Sequence, residues 1–125
     1  MGVVRVLHEV LAWALIFIGG AVGLWATAAH WREEFRQSAL WPAHHVFHAV
    51  VVVQVALGAI IVGFTDVDAD QEHMFYGFLC FTGVGIIVAY RHLSEYKHLL
   101  YGLGALFVMG LGIRALLLNP IAGAG

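Results

Sequence analysis

Four stretches without a single Asp, Glu, Lys or Arg occupy most of this chain: residues 10–31, 37–65, 73–90 and 98–113. They are 22, 29, 18 and 16 residues long, against about 20 apolar residues for a helix that crosses a bilayer. The fourth reaches that length by continuing past Arg114 to Leu118, with the arginine snorkelling or paired. The pattern predicts spans over 4–29, 42–64, 72–92 and 98–119 in one membrane domain covering 1–125. The connections, 30–41, 65–71 and 93–97, are short enough to force antiparallel neighbours. The expected fold is therefore all-α and integral to a membrane, an antiparallel up-down bundle of four transmembrane helices. Composition agrees: 62% of residues are hydrophobic and 11% charged, where a soluble domain carries about 25% charge. A formal net charge of −2 removes the basic footprint of a nucleic-acid binder.

Pro42 suits the first turn of the second span, where its missing N–H costs nothing, and Asn119-Pro120 is positioned to end the fourth. The first apolar stretch exceeds the about 7–15 residues of a signal-peptide core, so it is expected to be retained as a span. Arg32, Arg36, Arg91 and Lys97 flank the first and third connections, whereas Arg5 and Arg114 flank the opposite face. The positive-inside rule then puts both termini outside. "Outer" and "inner" denote these two faces below.

The chemistry lies in eight histidines. His8 and His73 fall at the outer ends of spans one and three, and His30, His44, His45, His48, His92 and His98 at or near the inner face. At helical spacing His8, Ala12, Leu15, Gly19, Val22, Ala26 and His30 form one stripe, its terminal histidines about 33 Å apart by helical rise. Gly19 and Gly23 form a small-xxx-small pair that admits another backbone or a flat cofactor. On span two His48 heads a stripe through Val52, Val55, Ala59 and Val62, with His44 one turn earlier. Haem iron takes neutral imidazoles as axial ligands. The pattern thus offers two b-type haem sites, His8 with His73 outside and His48 with His98 inside, with His30, His44 and His92 as alternates. Two haems would carry electrons across the bilayer. The same histidines also suit a headgroup-level interface with no cofactor. A third option is zinc or copper on His44, His48 and a ligand such as His98, since the i, i+4 spacing puts two imidazoles on one ion.

Spans three and four open alike, HMFYG at 73–77 and HLLYG at 98–102, each placing a tyrosine and a glycine one turn from a histidine on one face. Glu9 and Arg114 are expected to meet in the outer half as an ion pair, and Gln54, on the face of Gly58, to hydrogen-bond another helix. Asp66, Asp68 and Asp70 start like a calcium loop, but Gln71 and Gly77 stand where its turn glycine and bidentate glutamate belong, so an acidic cap is the expectation.

The run VVVVQVALGAIIVG at 50–63, followed by an acidic loop and His73, resembles a half-repeat of heme A synthase or a shortened relative of the six-helix b-type cytochromes. With GIRA at 112–115 the chain also resembles small four-helix bacterial membrane proteins. This similarity, over about 44–115, implies haem b as cofactor and falls on His48, His73 and His98. The expectation is a small multi-pass subunit of a respiratory or photosynthetic redox complex, in contact with lipid, other membrane subunits and, as a further candidate, quinone. It transfers electrons rather than catalysing a reaction of its own. The alternative is a cofactor-free accessory subunit that binds lipids and partner subunits and stabilises a membrane assembly.

Overall fold

The computed structural model describes residues 2–65, 70–92 and 95–118. Four α-helices, each long and apolar enough to cross a membrane, make up almost all of it. They are α1 (Gly2–Trp31), α2 (Leu40–Phe64), α3 (Gln71–Ala89) and α4 (Lys97–Leu117), with a 3₁₀ turn at Glu33–Phe35. Among the described residues there is no strand. Asp66, Asp68, Asn119 and Pro120, on which the acidic-cap and helix-stop expectations rest, lie outside the described residues.

Local chemistry sets the helix ends. The Arg36 guanidinium folds back on α1, with Nε donating to the Ala29 carbonyl (2.6 Å) and Nη2 to that of His30 (2.7 Å). It thereby satisfies carbonyls left over at a helix C-terminus, where a cation also complements the dipole. Trp25 Nε1–H donates to the Phe35 carbonyl at 2.8 Å and ties the 3₁₀ turn down. Pro42 is the third residue of α2, inside the first turn as expected. The Asp70 side chain caps α3 by accepting the Glu72 N–H at 2.8 Å. That helix ends at Ala89 and not at 92, so His92 lies in the following turn, exposed.

The helices close into a four-helix bundle in which α1 packs on α2 and α4, and α3 packs on α4 and more sparsely on α2. Along the α1–α4 seam a Cβ on Gly112 would meet Leu15, one on Gly23 Leu106, and one on Gly102 Thr27, so residue numbers rise along one helix as they fall along the other. The α1–α2 seam runs the same way: His44 meets Val22, Phe47 meets Gly19 and Gly58 meets His8. So does α3–α4, through His73 with Ala115 and Cys80 with Val108.

The buried face of α1 is Leu15, Gly19, Val22, Gly23, Ala26 and Ala29, close to the stripe read from sequence. On α2 the buried face is instead His44, Phe47, His48, Val51, Gln54 and Ile61, while Val52 and Val62 turn outward. The reason is Phe47, the largest fully buried side chain, whose ring occupies the gap left by Gly19 and so fixes the rotation of α2. Large apolar side chains such as Phe17, Leu24, Phe78 and Phe107 face outward, mostly exposed. In water such faces would be aggregation-prone, whereas lipid covers them at no cost.

Candidate functional site

At one end of the bundle His8 on α1 and His73 on α3 converge, their ring centres 6.4 Å apart and the planes nearly perpendicular. His73 Nδ1–H donates to the Ala115 carbonyl at 2.5 Å, in the last turn of α4, which fixes the ring and leaves Nε2 as the lone-pair nitrogen. A metal-ligating histidine is held in this way, by a carbonyl on its other nitrogen. The His8 ring lies on Gly58, where an added Cβ would come within 3.1 Å of Cε1, and its Nδ1 is buried without a partner. One turn before Gly58, the Gln54 Oε1 atom is also buried and unpartnered, so the hydrogen bond to another helix expected of Gln54 is not made by this atom. Gly77, one turn from His73, has nothing within 4 Å of an added Cβ although it is only partly exposed. These groups border the α2–α3 seam, the sparsest contact between neighbouring helices.

The separation suits a bridging metal. With a first-row metal about 2.0–2.1 Å from each imidazole nitrogen, a linear arrangement puts two ring centres about 6.2–6.4 Å apart. The two imidazoles, with His73 fixed by a carbonyl and open space beside Gly77, are the residues at this end that could hold a metal or cofactor.

The inner half differs. His44 and His48, one turn apart on α2, are 0% and 6% exposed, with ring centres 6.2 Å apart. Tyr101 of α4 lies 5.4 Å from the first ring and 5.7 Å from the second. His48 and His98, paired in the sequence reading, make no ring contact. The His98 ring packs on Trp41 at 5.0 Å, and Trp41 on Tyr101 at 5.2 Å, so two aromatic rings stand between the histidines. Lys97 Nζ lies over Trp41, 4.3 Å from the ring centre. His30 stacks on Tyr96 at 6.2 Å. The space beside Gly19 and Gly23 is taken: a Cβ on Gly19 would lie 2.7 Å from Phe47 and 3.2 Å from Met109, and one on Gly23 2.8 Å from Leu106. These glycines admit neighbouring side chains and leave no slot there for a porphyrin.

Two further expectations change. Glu9 and Arg114 are both exposed, and the ion pair found among the described residues is Arg32–Glu34 at 2.6 Å. Arg114 instead sits over the Tyr76 ring, 5.9 Å from its centre. The two HxxYG segments also diverge, since Gly77 faces open space while Gly102 presses against the Thr27 backbone. Sequence reasoning passed over Tyr101 as a site residue and Thr27 altogether. The i+3 spacing of Tyr101 from His98 was a signal for the first. Nothing in the sequence marked Thr27, whose Oγ1 is buried without a partner.

No protein-family model matches the chain, no curated protein matches its sequence, and no solved structure matches its fold.

Proposed function

We propose that this chain is a small multi-pass membrane subunit of a redox complex, an antiparallel up-down bundle holding one b-type haem between His8 and His73. The observation that carries this reading is the 6.4 Å separation of two imidazoles from different helices, one of them fixed by the Ala115 carbonyl. The up-down arrangement is supported by residue pairings that rise along one helix and fall along its neighbour on three seams. Bound there, haem would supply one-electron transfer. His73 would hold its ligating nitrogen by donating the other N–H to α4, and His8 would rest on Gly58. His48 and His98 hold no second haem in this arrangement, because His98 packs on Trp41, Trp41 on Tyr101 and Tyr101 on His48.

Outward-facing termini rest on the positive-inside rule, with Arg32, Arg36, Arg91 and Lys97 on one side, and the bacterial inner membrane on the resemblance to small bacterial membrane proteins. The test of the cofactor is a reduced-minus-oxidised visible spectrum of protein purified in detergent with its native partners. Sharp α and β bands that vanish in His73→Ala support the reading. A flat difference spectrum rejects it and leaves the cofactor-free accessory subunit.

A further inference from the structure

The pair His44 and His48 is a second site that the haem reading does not use, and its environment selects what can enter it. His44 Nε2–H donates to the Val22 carbonyl at 3.1 Å, so in the neutral ring Nδ1 carries the lone pair. That Nδ1 and the His48 Nε2 are both buried with no hydrogen-bond partner. A polar atom sealed in this way is costly in a protein interior and more so inside a membrane, where it marks a site for something that meets it.

Size limits the occupant. The rings of Trp41, Phe47 and Tyr101 pack around the two imidazoles at 5.4–6.5 Å between centres, and neither nitrogen reaches the surface. The two residues are also one turn apart on one helix, so no porphyrin can lie between them. Nothing larger than an ion or a single water would meet both nitrogens there.

Ligand number and charge narrow it further. Among the described residues no group of three or more His, Cys, Asp or Glu side chains converges, whereas zinc asks for four ligands. The ring centres, 6.2 Å apart, match an ion about 2.0 Å from each of two imidazole nitrogens in line. No carboxylate is among the neighbours named above to offset charge, and Lys97 adds a cation at the rim, over Trp41. A second positive charge is strongly disfavoured in so apolar a setting. We propose that His44 and His48 bind one cuprous ion, the monovalent first-row ion that is stable with two neutral nitrogen donors, with Tyr101 closing the site from α4.

The test is an anaerobic titration of the full chain in detergent, in which a chromogenic Cu(I) chelator competes under ascorbate. Wild-type protein is expected to withhold one Cu(I) per chain, and His8→Ala/His73→Ala, which removes the proposed haem ligands, to withhold the same. His44→Ala and His48→Ala should each weaken retention at least tenfold, and excess Zn(II) should not compete. X-ray absorption at the copper edge on wild-type protein supplies a readout that needs no variant: two nitrogen neighbours in line and no sulfur. The proposal is overturned if no copper is withheld, in which case the space holds water. It is equally overturned if retention follows His8 and His73 instead, if Zn(II) displaces Cu(I), or if the edge reports four neighbours or a sulfur from Cys80 or Met109.

Discussion

Replacing Gly102 by alanine tests the α1–α4 seam, on which the relative height of all the histidines depends. A Cβ there would lie 2.3 Å from Thr27 Oγ1, 2.5 Å from the Thr27 backbone nitrogen and 2.9 Å from its Cα. Ordinary contact begins near 3.4 Å. The helices must therefore part by roughly 0.5–1 Å, a gap at which each atom pair forfeits about a quarter to a half of its dispersion attraction. Because two of the three clashing atoms are backbone, a rotamer change offers no relief. Overpacking of this kind costs about 1–3 kcal/mol, occasionally more, and the gain of about 1 kcal/mol in helix propensity from glycine to alanine offsets only part. We expect Gly102→Ala to lose up to about 2 kcal/mol net. Gly110→Ala, where a Cβ meets nothing within 4 Å, should be neutral or stabilised by up to about 1 kcal/mol. Thr27→Ala should not rescue Gly102→Ala, since the backbone clash remains. The assay is reversible denaturant unfolding in detergent followed by tryptophan fluorescence. If Gly102→Ala is as stable as Gly110→Ala, α1 and α4 do not meet at this height and the register argued above is wrong.

Three more outcomes follow from the same geometry. Glu9→Gln and Arg114→Ala should have effects on unfolding that add within about 0.5 kcal/mol, because the two side chains make no ion pair; a larger coupling energy would mean that they meet. His44→Leu should be neutral or stabilising in metal-free protein, since it removes a buried unpartnered nitrogen at a site where an unmet polar atom costs about 1–3 kcal/mol; any clear loss of stability would show that the bond to Val22 dominates. Cys80, 3% exposed and donating to the Val108 carbonyl at 3.7 Å, should resist a maleimide in native detergent and react after denaturation, and rapid native labelling would contradict the packing of α3 on α4.

The helices were legible because the absence of charge over a bilayer's thickness is a property of composition, which no tertiary contact can override. The face of α1 was also legible, since Gly19, Val22, Gly23 and Ala26 form a small-residue stripe whatever packs on it. The face of α2 was not. Val51, Val52, Val53 and Val55 are equivalent in hydrophobicity, and what turned Val51 inward was the fit of Phe47 against Gly19, a match between two helices invisible in either alone. The same holds for the histidines. Depth along a helix follows from numbering, and it brought His8 and His73 to one end. Which rings touch depends on rotation and on the aromatic residues between them, and there Trp41 and Tyr101 separated His48 from His98. Arg114 failed for a related reason: a polar residue in an apolar span calls for a partner, but sequence does not say which helix supplies it.

The central claim is a single cofactor end, bounded by His8 and His73. It is tested most directly by counting haem per chain, as the pyridine haemochrome, in wild type, His73→Ala and His48→Ala purified identically with native partners. The account predicts one haem per chain in wild type and in His48→Ala, and almost none in His73→Ala. Two haems per chain, or a single haem lost from His48→Ala and kept in His73→Ala, would contradict it.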